Sequence, residues 1–515
     1  MSIAVYSSTD PKIIRNKDLL IVPVIKSNGQ AVPVQGIEQL AESTRELIAQ
    51  GIRNHGDTVD ARYRNKFTGK ADELLTVYRP LKIGFDNQPV KTILVGLGEP
   101  NNVELSTVRK VVTKALKNEM DDRTKNISLL FPNGTNLEQT EIAQAISETA
   151  IYETFVFDEY KSDRGDRKAT TLDIYNPDPA MQRSVERGVA LGRTTSEAQE
   201  LARYIASKPA SDMTPKDIAD IALKISGENR LKIEILTKRQ CEKLGMGSFL
   251  AVSKGSDQAP RFIVLKYTPE GPARKHIAIV GKGVTFDSGG LSLKPSDSML
   301  DMKCDKSGAG AVLGVMSVIE KLRNLSALQP DVQITMIAPC TENMTGGSAY
   351  KLGDVVRAMN GKTIEIHNTD AEGRLILADG IAYAVREGAH EIVDLATLTG
   401  ACVVALGDDK AGVMSNDQGL ANRIVTAGTE VGETMWQLPV SDRDRDAIKS
   451  DVADMKNVGT KGQAGAQSGY VLLERFAGDK PLGHIDIAGP AWPKGDKWPT
   501  GFGARTVINL LTKHT

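Results

Sequence analysis

Short runs of consecutive apolar residues alternate along this chain with stretches in which apolar residues return every three or four positions. Leu19-Leu20-Ile21-Val22-Pro23-Val24, Thr92-Ile93-Leu94-Val95-Gly96 and Ile127-Ser128-Leu129-Leu130-Phe131 have strand length and near-continuous apolar character, which predicts buried strands. Val108 to Met120 and Glu138 to Thr154 carry the helical spacing, so this region reads as a small α/β domain. Between Phe157 and Val185 the period is lost and the chain turns polar, through Lys161-Ser162-Asp163-Arg164-Gly165-Asp166-Arg167 and Pro177-Asp178-Pro179. A first domain is therefore expected over 1–165, a linker over 166–190 and a second domain over 191–515.

In the second domain the same alternation resumes on a larger scale. Ala190 to Ala206 reads as a helix, and Thr214-Pro215 caps and opens the next one. Strands are expected at Lys232–Leu236, Arg261–Tyr267, His276–Val280, Gln333–Ala338 and Ile392–Leu398, with helices at Gly308 to Leu322 and from near Glu372. This order predicts a mostly parallel central sheet flanked by helices on both faces. The fold class is thus two α/β domains, the smaller one first. In such sheets ligands bind beyond the carboxyl ends of the strands, so the polar residues that follow strands carry the functional information.

Length supports the division, since 515 residues exceed what one core sustains. Lys plus Arg (64) balances Asp plus Glu (65), which removes any global field toward nucleic acid or an acidic membrane. Arg109, Lys110, Lys114, Lys117, Arg123 and Lys125 form a locally basic stretch, the best support for a nucleic-acid-binding alternative; a solvated helix face explains it more simply. The four cysteines form no CxxC pair and read as reduced thiols. With a polar start from Met1 to Pro11 and no apolar run near the ~20 residues of a membrane span, a cytoplasmic protein without export or anchoring is expected.

The strand His276–Val280 runs into Gly281-Lys282-Gly283-Val284-Thr285-Phe286-Asp287-Ser288-Gly289-Gly290-Leu291-Ser292-Leu293-Lys294-Pro295, two lysines and an aspartate on a glycine-rich backbone. A phosphate loop fails on spacing: it needs Gly at His276 and Ser or Thr at Gly283. The glycines do not fall as a dinucleotide fingerprint either. Asn368-Thr369-Asp370-Ala371-Glu372-Gly373-Arg374-Leu375 adds two carboxylates at a turn into a helix, and Asp301 and Asp305 precede the helix at Gly308. Taken singly, each acid is more often a helix cap or a solvated turn residue, and each lysine a surface charge. Asp287, Asp305, Asp370 and Glu372 gathered in one cleft would repel one another by many kcal/mol unless cations neutralised them, which points to divalent metal.

The Asn368–Leu375 octet resembles the signature of the leucyl (cytosol) aminopeptidase family, and Gly281–Lys294 resembles its other metal-binding stretch. The likeness continues through Val393-Asp394-Leu395-Ala396-Thr397-Leu398-Thr399-Gly400-Ala401, Ala453-Asp454-Met455 and Asp486-Ile487-Ala488-Gly489-Pro490-Ala491-Trp492. It weakens before about residue 160, although Phe157-Asp158-Glu159-Tyr160-Lys161-Ser162 is still similar to the family's inter-domain region. The resemblance implies a macro-domain-like first domain and a catalytic second domain with two divalent ions. Lys282, Asp287, Asp305 and Glu372 would hold one ion; Asp287, Asp370 and Glu372, with the Asp370 carbonyl, would hold the other. Zinc and manganese lead the candidates, with magnesium and cobalt open.

The implied activity is release of N-terminal residues from peptides by water attack. Lys294 would polarise the carbonyl oxygen, and the planar fork of Arg374 suits a bicarbonate that shuttles the proton. Met302, Thr397, Leu398, Gly400 and Ala466 would line a pocket favouring leucine-like side chains, with broad selectivity. A homohexamer is implied as well. Lys303 and Lys306 depart from simple expectation by putting two further cations beside Asp305.

Overall fold

The computed structural model describes residues 3–14, 17–28, 30–34, 37–39, 45, 46, 48, 49, 52, 67–78, 91–120, 124–164 and 171–515. The chain forms two compact units, Met1–Ser196 and Glu197–Thr515.

The first unit is built on a sheet of strands β1 (Ala4–Ser8), β2 (Leu19–Ser27), β3 (Gln30–Pro33), β4 (Leu74–Tyr78), β5 (Lys91–Gly98), β6 (Asn126–Leu130) and β7 (Thr171–Tyr175). Its order is β1-β7-β6-β2-β5-β4, with β3 on β2. All pairings are parallel except those of β3 and β4. Strand β7 falls within the span expected to be linker. Its Leu172 and Ile174 are buried in this unit's core, an apolar alternation that the polar flanks had masked. The basic stretch is largely neutralised. Arg109 pairs with Glu148, Lys110 and Lys114 with Asp72, and Lys117 with Glu153; Arg123 lies outside the described residues.

The second unit carries β8 (Lys232–Leu236), β9 (Arg261–Tyr267), β10 (Lys275–Gly281), β11 (Gly283–Asp287), β12 (Val332–Asn343), β13 (Val355–Arg357), β14 (Thr363–Glu365), β15 (Glu391–Ala396), β16 (Ala411–Ser415), β17 (Met435–Gln437), β18 (Met455–Lys456) and β19 (Leu482–Asp486). The main sheet runs β17-β16-β19-β15-β10-β12-β9-β8, with β11 on β12, while β13, β14 and β18 form a small separate sheet. The central strands β12, β10, β15 and β19 are parallel, and antiparallel pairings begin at β9 and β16.

Both faces of this sheet are dry. Ile277 and Ile279 of β10 join a core with the helices Pro215–Glu228, Ser307–Ser317, Gln418–Val431 and Ala504–Lys513. Ala278 and Val280 join the opposite core, with the helices Gly247–Ser253, Gly373–Arg386 and Gly465–Glu474. Successive side chains of one strand thus serve opposite layers, which is why these strands read as unbroken apolar runs. Thr214 and Asp217 form a reciprocal capping box on the helix Pro215–Glu228, as the Thr-Pro signal predicts. The helix expected over Gly308 to Leu322 is two, Ser307–Ser317 and Ile319–Asn324. All four cysteines are free and buried. Among the described residues no helix is long and apolar enough to cross a membrane.

One close approach sets up the site. A Cβ on Gly308, at the start of the helix Ser307–Ser317, would lie 2.3 Å from the Leu395 carbonyl oxygen and 2.8 Å from the Lys282 backbone nitrogen. This bare helix end sits directly on the ends of β10 and β15, which brings Asp305 beside Lys282. Gly308→Ala must push the two apart, and a loss of about 1–3 kcal/mol in denaturant unfolding is expected; an unchanged midpoint would show that the contact yields freely.

Candidate metal centre

Lys282 occupies the step between β10 and β11. Its Nζ lies 2.8 Å from Asp305 Oδ1 and 2.8 Å from Glu372 Oε1, and donates to the Thr397 carbonyl at 2.9 Å. Asp287 closes β11, and its Oδ1 accepts from the Gly289 amide (2.9 Å) and Asn343 Nδ2 (2.8 Å). Lys294 Nζ bridges Asp287 Oδ2 at 2.9 Å and Asp370 Oδ1 at 2.5 Å. One carboxylate oxygen each from Asp287, Asp370 and Glu372 fall within 4.8 Å of one another. The structure therefore joins Lys282, Asp287, Lys294, Asp305, Asp370 and Glu372 into one network at the carboxyl ends of β10, β11 and β15.

Four carboxylates against two ammonium groups leave two negative charges over. Burial and the charge of Asp287 push the Glu372 carboxyl up to about 8, although Lys282 opposes this. Burial also pushes Asp305 up to about 6, against Lys282 and with Asp287. Burial disfavours the charge of Lys282, yet Asp305, Glu372 and Asp287 outweigh it and hold the amine above its ordinary value. A protonated lysine and reluctant acids express the same surplus: one ammonium serves two carboxylates and neutralises one. Glu372 Oε2 and Asp305 Oδ2 are buried and accept no hydrogen bond. Buried carboxylate oxygens without donors are costly, and divalent cations remove both the surplus charge and the vacancies. The donor set, hard oxygens with one amine, fits such ions.

Residues that spacing alone had not singled out hold this set in place. Asn343, at the end of β12, donates from Nδ2 to Asp287 and to the Thr369 carbonyl (2.9 Å), which also accepts from Tyr350 Oη at 2.6 Å. Thr369 Oγ1 donates to the Gly289 carbonyl at 2.7 Å and accepts from the Ser292 amide at 2.8 Å. Asn343 closes a buried strand, and no spacing in the sequence ties it to the acids. Asn457 Oδ1 accepts from the amides of His367 (2.8 Å) and Asn368 (3.2 Å), and its carbonyl accepts from Arg374 Nη1 at 2.8 Å. Arg374 is buried on the first turn of its helix, with Nε unpartnered; burial pushes its pKa down to about 10, against the pull of Glu372.

A cleft of about 1160 Å³ opens beside the acids, lined in part by Asp370, Arg374, Leu398, Gly400, Lys461 and Ala466. Met302 and Thr397 lie outside that lining. Thr397 instead faces the charged network, its Oγ1 donating to Asp305 Oδ1 at 2.6 Å. The extra cations turn away from the acids. Lys306 Nζ, fully buried, donates to the carbonyls of Lys208 (2.9 Å) and Lys303 (2.6 Å), and Lys303 Nζ sits 5.2 Å from the centre of the Trp492 ring.

Residues 200–508 match the catalytic domain of the cytosol aminopeptidase family, and residues 32–164 match that family's N-terminal domain. A probable cytosol aminopeptidase of Alkaliphilus oremlandii is 40% identical over 86% of this chain and 89% of its own length. One from Nostoc punctiforme is 38% identical over 95% and 97%, and one from Aquifex aeolicus 40% over 90% and 92%. Fold and matches together define a hydrolase of the peptidase class. Within that class, the chain belongs to the cytosol aminopeptidase family, and it carries both of the family's domains.

Lys282→Ala strips Asp305 and Glu372 of their shared cation. In the presence of chelator it is expected to lower the unfolding free energy by about 3–5 kcal/mol, with partial recovery on adding Mn²⁺. A denaturant midpoint equal to that of the parent protein in chelator would show that the acids need no counter-charge.

Proposed function

We propose that the protein is a metal-dependent aminopeptidase that holds two divalent cations and releases leucine and other apolar residues from peptide N-termini. The observation that carries this reading is the convergence of four carboxylates on two lysines, with buried carboxylate oxygens left unpaired. Lys282, Asp287, Asp305 and Glu372 would hold one cation; Asp287, Asp370, Glu372 and the Asp370 carbonyl would hold the other. Lys282 joins such a set only as a neutral amine, so loading must expel its proton. Zinc or manganese is the favoured occupant, with magnesium and cobalt as alternatives.

When bound, the two cations supply acidified water and withdraw electron density from the scissile carbonyl. Lys294, anchored by Asp287 and Asp370, sets a positive charge where the carbonyl oxygen gains electrons. Arg374, which lines the cleft, would hold a bicarbonate or substrate carboxylate with its guanidinium; a bicarbonate held there would supply proton-shuttle chemistry. Leu398, Gly400 and Ala466 give the cleft an apolar wall that receives a leucine side chain and leaves a charged one unsolvated. Selectivity among apolar residues is broad, since a methylene is worth only about 1–3 kcal/mol. Assembly into a homohexamer follows from the family resemblance, and a scattering mass of six chains checks it.

Hydrolysis of a leucine chromogenic amide is expected to vanish on chelation and to return with Mn²⁺ or Zn²⁺; turnover that ignores chelator refutes the mechanism. Glu372→Ala removes a shared ligand and abolishes turnover. Lys294→Ala is expected to keep its metal content and lose about 10²–10³ in kcat, read from steady-state kinetics beside metal analysis.

A further inference from the structure

The Asp486-to-Trp492 motif has so far no part in the chemistry, and its first residue is fully buried at the end of β19, beside Ala396 of β15. Asp486 Oδ1 accepts from the amides of Leu398 (3.1 Å), Thr399 (3.4 Å) and Ala488 (3.2 Å), and Oδ2 accepts from Thr399 Oγ1 at 2.6 Å. Thr399 Oγ1 in turn accepts from the Cys402 amide at 3.1 Å and caps the helix Gly400–Leu406. Every one of these partners donates, so the side chain acts purely as an acceptor, satisfied by backbone and hydroxyl. Such hydrogen bonds to a carboxylate are the strong ones, and here water does not compete for them.

The segment so gripped serves two sites at once. On one side Thr397 gives its carbonyl to Lys282 Nζ and its hydroxyl to Asp305. On the other, Leu398, Thr399 and Gly400 form part of the wall of the cleft. From this geometry we infer that Asp486 is the positioning residue of the reaction: it clamps the Thr397–Gly400 turn, and through that turn holds the metal-bearing lysine and the substrate wall in register. Its side-chain hydrogen bonds go to Leu398, Thr399 and Ala488, none of them a proposed metal ligand. The inference rests on the reading of Lys282 and Asp305 as ligands and of the cleft as the peptide site.

Asp486→Ala, Asp486→Asn and Thr399→Val test it, with kinetics read on the full-length metal-loaded enzyme and metal affinity on the same full-length chains after stripping. Asp486→Ala is expected to raise KM for the leucine amide roughly tenfold or more and to raise the Mn²⁺ concentration for half-loading, measured by calorimetry, severalfold; slack of about 1 Å in a site has costs on this scale. Asp486→Asn keeps an oxygen for the Leu398 and Thr399 amides and recovers most of both quantities. Thr399→Val removes one hydroxyl and keeps the shape, so it shows a smaller rise in KM even if Asp486→Ala fails to fold. Values within twofold of the parent protein for Thr399→Val, or equal losses for Asp486→Ala and Asp486→Asn, overturn the inference. Failure of the underlying reading shows separately, as parent-protein activity that survives chelation.

Discussion

Carboxylates repel one another, and the repulsion grows as water is withdrawn. In the second unit Asp287, Asp305 and Glu372 are each at most 3% exposed, and Asp370 stands half-buried beside them. Two lysines interleave with the four acids, yet negative charge remains in excess. Much of the surrounding architecture answers this one strain: Asn343 fastens Asp287, Thr369 and Tyr350 fasten the turn that bears Asp370, and Asn457 fastens the strand end before it. A cluster this unfavourable persists only because the groups around it leave the acids nowhere to retreat.

The fold places that strain beside an open cleft. Lys282 and the Thr397–Gly400 turn follow the carboxyl ends of the paired strands β10 and β15, Asp287 closes β11, and Gly308 lets a helix start close enough to add Asp305. The cleft then offers an apolar wall on one side and charge on the other.

The layout was legible in the sequence to the extent that backbone pattern dictates it. The strands β8 and β9 fall where their apolar runs put them, and the Thr214-Pro215 start of a helix is as written. The acids of the centre were legible as a group because a repelling set needs an explanation. Less visible was whatever depends on side chains meeting from distant segments. Thr397, expected in the pocket wall, faces the charged network, and Asn343 and Asn457 declare themselves only once their hydrogen bonds are drawn. Strand β7 escaped because its five residues lie between polar flanks, and its partners, more than its own composition, make it a strand.

The two-sided burial of β10 bears on how this protein is able to vary. Its odd and even positions serve different cores, and the strand runs without a loop into Lys282 and β11. Inserting or deleting a single residue within β10 would exchange the inward and outward side chains on one side of the change and turn Lys282 toward the wrong layer. Drift in chain length can be absorbed in surface connections, but this segment is locked in count as well as in composition, and related chains should differ there by substitution alone.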